Sequence, residues 1–91
     1  MKSIGLLGST GSIGVQTLQV IDTFPGEYGI KYLTANKNVK LLAEQALKYN
    51  PDTVCIVQEN FSEELEVLLK NTDITITSGR NALLELAGRN D

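Results

Sequence analysis

Close to its start the chain reads Gly8-Ser9-Thr10-Gly11-Ser12-Ile13-Gly14, between an apolar run from Ser3 to Leu7 and a helix-like stretch from Ser12 to Thr23. Few backbones accommodate three glycines at GxxGxxG spacing between a strand and a helix. Glycine lets the chain turn sharply and lets a ligand approach the backbone with no Cβ in the way. The helix that follows directs unpaired N–H groups and the positive end of its dipole at whatever lies over the turn. An anion suits that position, and Ser9, Thr10 and Ser12 supply hydroxyls able to donate to phosphate oxygens. Gly14 lets the helix lie close to the sheet. A mononucleotide P-loop is excluded, because it needs Gly-Lys-Ser/Thr after four intervening residues. Here Ile13 stands five residues after Gly8, and the turn contains no lysine.

Strand-like and helix-like runs alternate four times. Ile13, Leu18 and Ile21 share a face of the first helix, which Pro25 and Gly26 close. The second strand runs from Ile30 to Ala35. Val39, Leu42, Ala43, Ala46 and Leu47 then recur at helical spacing, an apolar stripe suited to covering a sheet, with Asn38 as N-cap. Asn50-Pro51-Asp52 breaks the chain. Thr53 to Val57 is a solid apolar run of the kind covered on both faces. A third helix from Ser62 to Lys70 turns Phe61, Leu65 and Leu68 inward. The fourth strand, Asp73 to Thr77, alternates isoleucine with threonine, and a last helix spans Asn81 to Ala87. This is an α/β chain with the order β-α-β-α-β-α-β-α, a Rossmann-like parallel sheet built through right-handed crossovers. The expected strand order is 3-2-1-4, truncated before later strands. Residues 1–91 are expected to form the N-terminal part of a dinucleotide-binding domain, with Met1 a native start and further domains absent from the chain.

Composition excludes several classes. The 8 basic and 11 acidic residues, net charge −3, are mixed along the 91 residues. That leaves no basic field for nucleic acid and no polybasic patch for a membrane. The apolar run after Lys2 is too short for a signal peptide or a membrane helix. A single cysteine, Cys55, allows no intrachain disulfide. A cytoplasmic protein is expected. With no histidine, Ser-His-Asp chemistry and histidine zinc sites are excluded within the chain. No carboxylate pair stands out, so no catalytic residue and no metal ligand is assigned. Cys55 reads as a small core hydrophobe. Glu63, Glu64 and Glu66 read as a solvated helix start, and Arg80 and Arg89 as surface residues.

The end of the second strand distinguishes the dinucleotides. An acid there would bind the ribose 2′-hydroxyl of NAD and repel a 2′-phosphate. Thr34-Ala35-Asn36-Lys37-Asn38 contains no acid. Lys37 offers a cation, the two asparagines offer amides, and a helix begins there. The residues therefore point to NADP(H).

The string GSTGSIG followed by Val15-Gln16-Thr17-Leu18, together with Ala35-Asn36-Lys37-Asn38, resembles the 1-deoxy-D-xylulose 5-phosphate reductoisomerase family. The likeness covers the whole chain and is sharpest in residues 1–40. It implies an NADPH-dependent oxidoreductase of non-mevalonate isoprenoid synthesis, homodimeric when complete, that uses Mg2+ or Mn2+. Such an enzyme rearranges 1-deoxy-D-xylulose 5-phosphate and reduces the product to 2-C-methyl-D-erythritol 4-phosphate. By the resemblance, Thr10, Gly11, Ser12 and Ile13 hold the pyrophosphate region, and Asn36, Lys37 and Asn38 hold the adenosine 2′-phosphate. The family often carries glycine where this chain has Asn36. Asparagine tolerates left-handed angles, so the turn can survive the change. The family's metal carboxylates, substrate-phosphate residues and Asn-Lys-Glu motif have no counterpart in these residues. The chain alone is therefore expected to bind NADPH without turnover, and it can be monomeric. Two other readings stay open on the residues: the cofactor domain of another NADP enzyme, such as a semialdehyde dehydrogenase, and a non-catalytic NADP sensor.

Overall fold

The structure, a computed structural model, describes residues 2–88. Arg89, expected at the surface, lies outside the described residues. The elements are β1 (Lys2–Leu6), α1 (Ser12–Asp22), β2 (Tyr28–Ala35), α2 (Val39–Tyr49), β3 (Thr53–Ile56), a 3-10 turn (Glu59–Phe61), α3 (Ser62–Leu68), β4 (Thr75–Ser78) and α4 (Arg80–Ala87).

All strand pairs are parallel, as the alternation of strands and helices requires. The strand order, however, is β1-β2-β3-β4, not 3-2-1-4. The physical reason is burial of β3. Each of its residues, Thr53 to Ile56, is buried, so the strand needs neighbours on both edges. In the expected order β3 would be an edge strand. Instead β4 takes its free edge, pairing Val54 with Ile76 and Ile56 with Ser78. The less buried β1 and β4 become the sheet edges. Three right-handed crossovers in one direction place α1, α2 and α3 on one face. Accordingly α2 touches α3, and α3 touches β4.

Leu33, Leu42, Val54, Ile56 and Leu65 are fully buried and centre the core between the sheet and these helices. The stripe on α2 delivers Val39, Leu42, Ala43 and Ala46 as expected, but Leu47 is exposed. It lies at the stripe's edge, beside Leu68. Leu68 is also exposed. Helix α3 ends there, and Leu69, its C-cap, takes the inward place. On α1 the buried stripe is Gly14, Leu18 and Ile21, at i, i+4 and i+7. Ile13 lies off that stripe and is 80% exposed.

A bulge in β2 sets the end of the sheet. Ile4 pairs with Ile30, but Gly5 pairs with Tyr32, so Lys31 is the extra residue of the bulge. The extra residue restores Leu33 to the core face, and Gly5 leaves room for the Tyr32 ring. Helix α2 ends at Asn50, whose N–H still makes the helical bond to the Ala46 carbonyl while its left-handed φ of 49° turns the chain that follows out of the helix. Asn50 is the only described non-glycine residue with positive φ. Asn36 therefore needs no left-handed tolerance.

Candidate functional site

The strands run parallel, so the ends of β1 and β2 lie side by side. Leu6 pairs with Leu33, and both chains leave the sheet at the same edge. The glycine-rich turn leaves β1 there, and the Asn36–Asn38 loop leaves β2. The two segments predicted to bind the pyrophosphate and the adenosine 2′-phosphate of one dinucleotide are thus adjacent.

The turn is shaped by its glycines in two different ways. Gly8 has φ of +71°, with nothing near a would-be Cβ, so its demand is conformational. Gly14 is buried, and a Cβ there would come within 2.5 Å of the Gly8 carbonyl oxygen and 2.6 Å of Ser9 Cα. Its missing side chain clears the turn itself rather than the sheet. The Gly11 N–H donates to the Gly8 carbonyl at 3.1 Å, closing a tight loop. Gly11 is the N-cap residue of α1, in extended geometry and with no side-chain hydrogen bond to the helix. The first turn of α1 carries no acid. Its N-terminal N–H groups therefore have no side-chain acceptor and no anionic neighbour on their own helix. Thr10, Gly11 and Ser12, with Val15, Gln16 and Gln19, line an open hollow of about 430 Å³ over this end. Ile13, expected both in the core and at the site, is exposed and is not among the residues that line the hollow.

Ser9 differs from the expectation. It is fully buried and faces inward. Its hydroxyl donates to Gln45 Oε1 at 2.7 Å, with the Thr34 carbonyl as a longer alternative at 3.2 Å. A single hydroxyl proton serves the shorter bond. Gln45 Nε2 donates back to the Ser9 carbonyl at 2.8 Å. Thr34 completes the lock: its Oγ1 accepts from Gly8 N–H and its carbonyl from Ser9 N–H, both at 2.7 Å. Thr10 and Ser12 remain as outward hydroxyls; Ser9 does not. The sequence reading missed Gln45 and the hydroxyl of Thr34. A glutamine on the apolar side of α2, just before Ala46, was the available signal.

The second loop is open. Asn36, Lys37 and Asn38 are all exposed. Asn38 caps α2 as expected, its Oδ1 accepting from Leu41 N–H at 3.4 Å. Asn36 Oδ1 accepts from Gln58 Nε2 at 3.4 Å, and the Asn36 carbonyl accepts Gln58 N–H at 2.9 Å. Both carboxamide oxygens are thus engaged, which leaves their –NH2 groups as donors. Lys37 forms no ion pair with a described residue.

Elsewhere, Asp22, Lys48 and Tyr49 tie α1 to α2. Lys48 Nζ lies 3.0 Å from Asp22 Oδ2, and Tyr49 OH donates to Asp22 Oδ1 at 2.8 Å. Hydrogen bonds from Lys48 and then Tyr49 hold the Asp22 carboxyl below its ordinary value. The bond to Asp22 raises Lys48. Cys55 is buried and free, and burial pushes its thiol up, in keeping with an inert core position. Among the described residues, no group of three His, Cys, Asp or Glu is placed to hold a metal ion, and no helix is long and apolar enough to cross a membrane.

The profile of the 1-deoxy-D-xylulose 5-phosphate reductoisomerase family matches residues 4–91. The chain is 48% identical to the reductoisomerase of Chloroherpeton thalassium over 91 residues, covering all of this chain and 24% of that protein. A solved structure of the Zymomonas mobilis enzyme in complex with NADPH superposes with a TM-score of 0.90 at 35% identity, over 94% of this chain and 23% of that one. Another, of the enzyme in complex with NADPH, fosmidomycin and magnesium, superposes with a TM-score of 0.91 at 32% identity, over 99% and 22%. The chain spans about a quarter of the length of the curated relative it matches throughout. With a family match over nearly every residue and a backbone that superposes throughout on solved members, the chain belongs to the 1-deoxy-D-xylulose 5-phosphate reductoisomerase family.

Proposed function

We propose that this chain is the NADPH-binding part of a reductoisomerase that converts 1-deoxy-D-xylulose 5-phosphate to 2-C-methyl-D-erythritol 4-phosphate. The observation that carries the reading is the pairing of an uncapped α1 N-terminus with a neighbouring strand end that holds Lys37 and no acid. The first suits a pyrophosphate and the second a 2′-phosphate. Thr10, Gly11, Ser12 and Ile13 would hold the pyrophosphate region. Thr10 and Ser12 donate their hydroxyls, Gly11 allows close approach, and Ile13 covers the rim. Asn36, Lys37 and Asn38 would hold the 2′-phosphate through two amide –NH2 groups and one ammonium. When bound, NADPH supplies a hydride; these residues position it and contribute no acid or base.

The divalent metal of the family does not fit here, since no carboxylate cluster is placed for it among the described residues. No step of the reaction is assigned to this part of the chain. The complete protein, in this reading, is a cytoplasmic homodimer whose metal and substrate residues lie outside these 91 residues. Solved relatives in complex with NADPH, and with NADPH, fosmidomycin and magnesium, support the same reading.

The test is calorimetric titration of the native protein with NADPH and, separately, NADH. Clear NADPH binding with much weaker NADH binding is the expected result. Tighter NADH binding would overturn the assignment of Lys37, and silence from both would overturn the cofactor reading.

A further inference from the structure

We propose that Gln45 is a positioning residue for the dinucleotide pyrophosphate, acting through Ser9; this rests on the cofactor reading above. Ser9 immediately precedes Thr10-Gly11-Ser12, yet it offers nothing outward. Both polar atoms of the Gln45 side chain are spent on this one residue: Oε1 on the Ser9 hydroxyl at 2.7 Å and Nε2 on the Ser9 carbonyl at 2.8 Å. The partners are 36 residues apart in sequence, and Gln45 is only 7% exposed. A two-point clamp of this kind fixes the Ser9 side chain and the peptide plane that joins Ser9 to Thr10. The neighbouring Gly8 N–H and Ser9 N–H are consumed by Thr34. The Gly8 N–H and the polar groups of Ser9 are thus spent inside the protein, and the Gly11 N–H closes the turn on the Gly8 carbonyl, which leaves the N–H groups of Thr10, Ser12 and Ile13 to face the ligand.

The placement of Gln45 has a second consequence. It lies on the helix that Asn38 opens, seven residues on, roughly 10 Å along the axis at 1.5 Å per residue. One rigid helix therefore carries the 2′-phosphate loop at its N-terminus and the clamp on the pyrophosphate turn two turns later. The clamp sets the separation of the two phosphate subsites. A ligand spanning both subsites depends on it, and a ligand reaching only the 2′-phosphate loop does not.

The distinguishing experiment uses two probes on the native protein: NADPH, which spans both subsites, and adenosine 2′-monophosphate, which reaches one. In Gln45→Leu, similar in size and without hydrogen bonds, NADPH affinity should fall about tenfold, the worth of the two lost bonds. Affinity for adenosine 2′-monophosphate should stay within about twofold. If Gln45→Leu does not fold, Ser9→Ala removes only the hydroxyl arm and should show the same split at about threefold. Unchanged NADPH affinity, or equal losses for the two probes in a folded variant, would overturn the positioning role while leaving the cofactor reading intact. Failure of the unaltered protein to bind NADPH would remove both.

Discussion

The two loops at the sheet edge are built on opposite principles. The Gly8–Gly14 turn is anchored from below by buried side chains: Ser9 and Thr34 are at most 1% exposed and every polar atom finds a partner. The Asn36–Asn38 loop is exposed, its backbone carbonyls hydrogen-bonded but its side chains held by only two long amide contacts, with its lysine unpaired among the described residues. In the proposed function the first loop must present backbone N–H groups in fixed directions, and backbone can be aimed only by fixing the chain. The second would present one side-chain cation and two amides, which aim themselves. Changes in the turn should therefore cost stability and affinity together. Changes in the loop should alter selectivity alone.

The sharpest way to break that contrast is Gly14→Ala. The added methyl group meets the Gly8 carbonyl oxygen and Ser9 Cα, both backbone atoms, so no side chain can swing aside. Either α1 shifts or the turn opens, at a cost of about 3 kcal/mol, the upper end for overpacking. Chemical denaturation should show the loss, and NADPH binding should fail under conditions where the variant is still folded. A variant that kept both stability and affinity would mean the turn is as adaptable as the loop. By comparison, Gly8→Ala meets no atom and carries only the cost of a left-handed alanine, about 1 kcal/mol.

The sequence revealed the two loops unequally. The glycine spacing and the missing acid after β2 can be read one residue at a time, because each depends on local backbone or local charge. The turn, the N-cap at Asn38 and the helix on either side of Leu42 were accordingly legible. The lock beneath the turn was not. Ser9 looks like any hydroxyl beside a phosphate site until Gln45 and Thr34, distant in sequence, are folded against it. Strand order failed for a related reason. A Rossmann precedent places the switch after β3, whereas the solid apolar run of Val54 to Val57 called for an interior strand. That signal was present, but its bearing on edges depends on which strands become neighbours. The inward reading of Ile13 failed on spacing: Ile13 stands five residues before Leu18, about 140° away around a helix of 3.6 residues per turn. With Gly11 as N-cap, the buried stripe starts at Gly14.

Lys37→Glu probes the other side of the contrast. Loss of a charge-assisted contact and gain of repulsion against a 2′-phosphate should weaken NADPH binding by about tenfold to a hundredfold. NADH should be unaffected or improved, since an acid at this strand end accepts from ribose hydroxyls. Because Lys37 is exposed and unpaired among the described residues, stability should change by no more than about 0.5 kcal/mol. Titration of both cofactors, with a melting curve, checks each part. Equal loss of NADPH and NADH would remove the case for a 2′-phosphate contact. A large drop in melting temperature would show that the loop, like the turn, is a structural element.

The smallest effect is expected where α1 meets α2 away from both loops. Asp22→Asn removes the charge that Lys48 and Tyr49 share. The Asp22 pKa is lowered in the folded chain, so its stabilisation is present above the unfolded carboxylate value and disappears as pH falls through the folded one. The Lys48 pKa is raised, so its share is present below the unfolded amine value and lost as pH rises through the folded one. The clamp is therefore intact between about pH 4 and pH 10, and Asp22→Asn should flatten the acid side of the stability profile. The groups are solvent-accessible, so the change at neutral pH should be slight. NADPH affinity should not move, because the buried bonds from Gln45 and Thr34, not this surface pair, aim the turn. Denaturation from pH 3 to pH 8, with NADPH titration at pH 7, measures both. A clear fall in affinity would mean that packing of α1 on α2 also aims the turn, and that its anchoring extends well beyond the residues beneath Ser9.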